Sequence, residues 1–258
     1  MTSGDDVVRN LRRAGELVGE AVALGAELVV LPERWAHIDG RGTLRGAEAL
    51  EGPAGSTARE WAREHGVHLL AGSIAEATPE GDRAYNTSVL IGPAGAIDAI
   101  YRKIHLFDVS VGGREYRESR FTVAGSDPVV GEVAGHTVGL SICYDVRFPE
   151  LYRALVDRGA EILTVPAAFT RETGRDHWEP LLRARAIENQ CFVVAAGQWG
   201  EHPDGAVSYG RSMIIDPWGT VLAQAPDGEG VACARLDFAA LEAIRARLPA
   251  LGHRRIGR

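Results

Sequence analysis

The chain has 258 residues, 45% of them hydrophobic, enough for one large globular core and too apolar for a disordered protein. Its formal net charge of −7, with no basic block apart from the terminal HRRIGR, argues against a nucleic-acid or anionic-membrane surface. No apolar run reaches the length of a membrane span and MTSGDDVVRN has no charged-then-apolar leader pattern, so the expected setting is cytoplasmic and the expected partner a small molecule.

In chain order, Val7, Val8, Leu11, Ala14, Val18, Ala21 and Val22 recur at helical spacing and predict a helix from Asp5 to Leu24, stopped by Gly25. ELVVL then reads as a short buried strand ended by Pro32, which leaves Glu33 at its carboxyl end. After a glycine-rich loop, Ser56 and Thr57 are candidate caps of a helix running to His65, and VHLLAGSIAE is the next strand. YNTSVLI and AIDAIYR flank the turn GPAG as a hairpin, with Lys103 just beyond it. The polar stretch from Phe107 to Asp127 reads as a functional loop carrying Glu115 and Glu118. DPVVGEV and HTVGLSI form a strand pair that delivers Cys143, and Pro149 opens a helix to Arg158. AEILTV, a loop through Arg175, a helix from about His177 to Asn189 and the strand CFVVAA follow. Three strand-like runs, SMIID, TVLAQA and GVACARLD, precede a last helix from Phe238 to Arg247. Strands alternate with helices and hairpins without a linker, which predicts a single α/β domain over residues 1–258 with a mixed sheet or two sheets.

Three cysteines, Cys143, Cys191 and Cys233, are too few and too scattered for a disulfide framework, and no metal site is expected. Of 28 basic residues, Lys103 is the one lysine. A guanidinium is wide, planar and permanently charged, so a lone compact ammonium marks a place where arginine will not serve, unless it survived by chance. Taken singly, Cys143 reads more readily as a small buried hydrophobe, Glu33 as a surface acid or cap, and Lys103 as a solvated charge. Jointly they match a mechanism, since each falls at the end of a predicted strand, where open α/β sheets bind ligands. A carboxylate can take a thiol proton, a thiolate can attack a carbonyl, and an ammonium can hold the charge that develops on the carbonyl oxygen.

LPERW, YRKIHLFD and SICYDVRFPE resemble the three catalytic motifs of the nitrilase, or carbon–nitrogen hydrolase, superfamily. The likeness continues through HWEPLLRARAIENQCFVVAA, YGRSMIIDPWG and RLPALGHRR, and is strongest to the Nit-type amidase branch that includes ω-amidase and deaminated-glutathione amidase. This resemblance implies a four-layer αββα sandwich, a homodimer, and no metal or organic cofactor. It implies Glu33 as general base, Lys103 as oxyanion and positioning cation, Cys143 as nucleophile, Glu118 as the second glutamate that orients Lys103, and the Tyr144 N–H as an oxyanion donor. The implied reaction is hydrolysis of a small carboxylate-bearing amide through a cysteine thioester, releasing ammonia and an acid. N-carbamoyl amide or nitrile hydrolysis on the same triad is the alternative, and a non-catalytic interaction protein on this scaffold is the alternative of another class. Arg211 stands where related amidases have His, Trp199 where they often have Cys, and Asp176 where they have Ala, which leaves the substrate open. Arg171, Arg175 and Arg211 are candidates to meet a substrate carboxylate, or else solvated surface arginines.

One internal repeat bears on the chain's beginning. GAELVVLPE (Gly25 to Glu33) recurs as GAEILTVPA (Gly159 to Ala167), each after an amphipathic helix, but only the second helix is preceded by a strand. The first strand is therefore expected to be missing, and the chain as given to be poorly soluble or inactive until about six to ten apolar-rich residues are restored ahead of Met1.

Overall fold

The computed structural model of the protein describes residues 1–39 and 46–256, so residues 40–45 of the glycine-rich loop after Glu33 lie outside the described residues. The Asp6 carboxylate accepts the Arg9 N–H at 3.0 Å and caps α1 (Val7–Ala23), which buries Ala14, Leu17, Val18 and Ala21. β1 (Leu28–Val30) follows. α2 (Pro53–His65) begins at Pro53 rather than at Ser56, because a first-turn proline gives up an N–H that has no intrahelical acceptor anyway. Next come β2 (His68–Leu70), β3 (Ile74–Ala77), β4 (Ala84–Ile91) and β5 (Ile97–Arg102). The stretch expected as loop folds into the hairpin β6 (Asp108–Val111) and β7 (Arg114–Arg117), a 3₁₀ turn at Glu118–Arg120, and β8 (Thr122–Val123). β9 (Val130–Val133), β10 (His136–Leu140), α3 (Pro149–Asp157), β11 (Ile162–Ala167) and α4 (Arg171–Asn189) lead to β12 (Phe192–Gly197). The hairpin β13 (Trp199–Glu201) and β14 (Val207–Tyr209), then β15 (Met213–Ile215), β16 (Val221–Gln224) and α5 (Phe238–Arg247), complete the elements.

Two sheets stack between two pairs of helices. The first has the order β1-β2-β4-β3, with β5 and β8 also on β4; the second runs β16-β15-β12-β11-β10-β9, its centre β10-β11-β12 parallel. α1 and α2 cover the first sheet, with Ala14, Leu17, Ala58 and Ala62 in one cluster with Val29, Leu69 and Val89. Leu70, Leu90 and Tyr101 of the first sheet share the second cluster with Val138, Leu140 and Val165, and α3 and α4 close its far side with Leu151, Leu155 and Leu182. The four-layer expectation is met. Every residue of β11 is buried, as a parallel strand covered on both faces requires.

Two departures are local. α4 starts six residues before the expected His177, and Gly174, inside the stretch read as loop, is a close contact there: a Cβ would stand 2.4 Å from the Tyr209 Cβ. Residues 230–236, read as a strand, have an alternating pattern but no paired neighbour. Opposite them β1 pairs with β2 along one edge alone, and a cavity of about 730 Å³ lies between, lined by Leu28, Val30, Val194, Val231 and Leu236. Among the described residues no strand precedes α1; Met1 also lines this cavity, and its C=O accepts the Trp199 N–H at 2.9 Å.

Candidate active site

The two copies of the internal repeat meet at one point. β1 ends in Leu31–Pro32–Glu33 and β11 ends at Ala167, and the Ala168 N–H donates to Glu33 Oε2 at 2.8 Å. Gly72, at φ 40°, lets the chain after β2 lie against this end of β1: a Cβ there would be 1.9 Å from the Pro32 carbonyl oxygen. Lys103 follows β5, and its Nζ donates to Glu33 Oε1 at 3.0 Å and to Glu118 Oε2 at 2.8 Å. Glu118 opens the 3₁₀ turn after β7 and accepts the Phe107 N–H at 2.7 Å. Asn86, on β4, donates to Glu33 at 2.8 Å and to Glu118 at 3.1 Å. Glu33 and Lys103 are 4% and 2% exposed, so this is a charge cluster withdrawn from water, in which the ammonium is met by two carboxylates.

Cys143 begins the 3₁₀ turn Cys143–Arg147 that follows β10, with φ 49°, a backbone conformation that side chains rarely adopt and that functional sites store. Asp145 holds this turn. It is fully buried and accepts from Ile142 N–H at 2.8 Å, the Tyr101 hydroxyl at 2.7 Å and His105 N–H at 3.1 Å, tying the second sheet's turn to the segment that carries Lys103. The Tyr144 N–H lies in the first turn, where backbone donors have no intrahelical acceptor.

Burial alone would raise the Glu33 carboxyl, but the Lys103 charge, the Ala168 N–H and the Cys143 thiol outweigh it and hold it below its ordinary value. Burial opposes the Lys103 charge, and the carboxylates of Glu118 and Glu33 overcome it and hold the ammonium well above its ordinary range. Burial, then the negative charge of Glu33, pushes the Cys143 thiol well up. At neutral pH the site therefore rests as carboxylate, ammonium and thiol.

Glu33, Lys103, Cys143, Tyr144 and Glu118 line a single cavity of about 390 Å³. The hairpin β6–β7 forms one wall, fastened to the loop before β14 by an Arg114–Asp204 ion pair. Arg171, Arg175 and Arg211 are not brought to it: Arg171 and Arg175 are exposed on the first turns of α4, and Arg211 pairs with Asp227 at 2.9 Å. The sequence reading missed Asn86, Asp145 and the Ala168 N–H. Asn86 had a signal, the one amide in the strand YNTSVLI; the other two act only through contacts made in three dimensions.

The carbon–nitrogen hydrolase family matches residues 4–246. The chain belongs to that family. A deaminated glutathione amidase from Synechocystis sp. is 45% identical over 98% of this chain and 95% of its own length. One from Bos taurus is 45% identical over 99% of this chain and 80% of its own. The crystal structure of the NitFhit protein of C. elegans superposes with a TM-score of 0.93 at 40% identity over 99% of this chain, which spans 63% of that protein. This carbon–nitrogen hydrolase thus carries its family's likeness over nearly its whole length. Among the described residues, none of its helices is long and apolar enough to cross a membrane.

Proposed function

We propose that this chain is an amidase that hydrolyses a small carboxylate-bearing amide through a thioester on Cys143, releasing ammonia and a carboxylic acid. The observation that carries the reading is the buried Glu33–Lys103–Glu118 cluster in one cavity with Cys143. The 45% identity to deaminated glutathione amidases supports an amide substrate. Because the thiol rests protonated beside an ionised carboxylate, Glu33 accepts its proton as Sγ attacks the amide carbon. The carbonyl oxygen becomes an oxyanion facing the Lys103 ammonium and the Tyr144 N–H. As the intermediate collapses, Glu33 returns the proton to the leaving nitrogen and ammonia departs from the thioester. Water then gives a proton to Glu33 and attacks the thioester carbon, and the sulfur leaves and recovers that proton. Glu118 and Asn86 keep Lys103 and Glu33 in place through this cycle.

The test is ammonia release from glutaramate, α-keto acid amides, deaminated glutathione, N-carbamoyl compounds and aliphatic nitriles. Amides are expected to exceed nitriles, and Cys143→Ala to lower turnover by about 10⁴-fold or more. Intact-mass detection of an acyl adduct on Cys143 in stalled wild-type reactions is expected too. Activity of Cys143→Ala within tenfold of wild type refutes the mechanism, faster turnover of a nitrile reverses the substrate class, and silence on every substrate leaves the scaffold reading.

A cytoplasmic homodimer completes the proposal. Ile187 of α4, which lies against Gly219, and Trp218, the residue before that glycine, stand 50% and 59% exposed, apolar groups suited to a second copy.

A further inference from the structure

Arg34 follows the general base directly and lines the same cavity as Cys143. Its backbone is left-handed, φ 53°, held by its own N–H donating to the Ser73 hydroxyl at 3.0 Å and its C=O accepting the His37 N–H at 3.2 Å. That conformation fixes the direction of a side chain whose Nε is shut off from solvent and has no hydrogen-bond partner among the described residues. The other cations of the cavity are accounted for. Lys103 is held by Glu33 and Glu118, Arg114 by Asp204, and Arg117 by Glu115, while Arg120 is exposed over the Phe121 ring. His202, whose titration feels Arg34, is kept neutral by burial, its two ring nitrogens engaged with the Ser3 C=O and the Ser208 hydroxyl. Among the described lining residues, Arg34 is thus the half-buried cation that lacks a counter-charge.

A half-buried guanidinium that lines a cavity without a counter-charge is a cost, and the ligand that removes it best is a planar anion bound by two parallel hydrogen bonds. We propose that Arg34 receives the carboxylate of the substrate, so that the cavity selects amides whose far end is anionic over neutral amides of equal length. This inference rests on the amidase reading and adds to it the group that recognises the second end of the substrate. It also moves carboxylate recognition from Arg171, Arg175 and Arg211 to the residue beside the catalytic glutamate.

The experiment compares full-length wild type, Arg34→Asn and Arg34→Lys on glutaramate and on its neutral counterpart valeramide, with calorimetric titration of glutarate, which needs no turnover. Asparagine tolerates left-handed backbone better than arginine does, so Arg34→Asn removes the charge without adding strain. Wild type is expected to prefer glutaramate. In Arg34→Asn the ratio of kcat/KM for glutaramate to that for valeramide should fall by about ten- to a hundredfold, carried by KM, and glutarate affinity should weaken by at least about tenfold. Arg34→Lys should recover part of both. A ratio or glutarate affinity in Arg34→Asn within about threefold of wild type, or a wild type that binds no glutarate, overturns the proposal. If neither amide is hydrolysed yet glutarate binds through Arg34, the amidase reading fails and the carboxylate site stands.

Discussion

Lys103 answers why an arginine-rich chain kept one lysine. Its ammonium sits between two carboxylates with donors at 3.0 and 2.8 Å in a space 2% exposed, which a forked guanidinium overfills. Lys103→Arg should therefore keep the charge and lose the reaction, kcat falling about 100- to 1000-fold, as for loss of one oxyanion donor. Steady-state ammonia release checks this, and a wild-type kcat would make the lysine incidental. The charge states set the pH profile as well. In the proposed cycle Glu33 works ionised, and it is held below its ordinary 4.5, whereas Cys143 and Lys103 are held well above 9.0 and 10.5. kcat/KM should then stay flat between the ordinary carboxylate and thiol values, and a limb centred at about pH 6 to 7 would implicate another group. Stability follows the same signs. The depressed Glu33 contributes stability above 4.5 that is lost as pH falls through its folded value; the raised Lys103 contributes below 10.5 and loses it as pH rises through its own.

At the scale of elements, strand ends and turns bring the groups together. β1, β5 and β10 each hand over one member of the proposed triad within three residues of their ends, and Asp145 locks the turn of the third to the segment after the second. α4 shows how packing accommodates a glycine inside a helix. Gly174 lies buried in its first turns because the helix passes close to Tyr209 on β14, the strand after the loop that Arg114 fastens to the cavity wall. Gly174→Ala, helix-favouring in isolation, is expected here to destabilise by about 1 to 3 kcal/mol through overpacking. Urea denaturation measures it, and a gain in stability would show that the helix can back away from β14.

At the scale of the molecule, two sheets face each other inside two helix pairs, with the site where the two repeat units meet. The exposed pair Ile187 and Trp218 belongs to the proposed dimer, so Trp218→Glu should shift the protein toward monomer in sedimentation velocity, and an unchanged oligomer would place the interface elsewhere. The sequence by itself determined the α/β class, the amphipathic helices and the three residues proposed as the triad. Glu33, Lys103 and Cys143 stood at strand ends in motifs whose residue types the chemistry demands, and strand and helix periods are local properties of the chain. Tertiary structure alone decided which polar groups share the cavity. Asn86 and Asp145 act through partners up to 53 residues away, Ala168 reaches Glu33 across 135 residues, and the arginines of α4 turn to solvent while Arg34 faces the nucleophile's cavity. The physical reason is that a hydrogen bond or a desolvated charge depends on the distance between groups in space, which the spacing of residues along a chain does not fix.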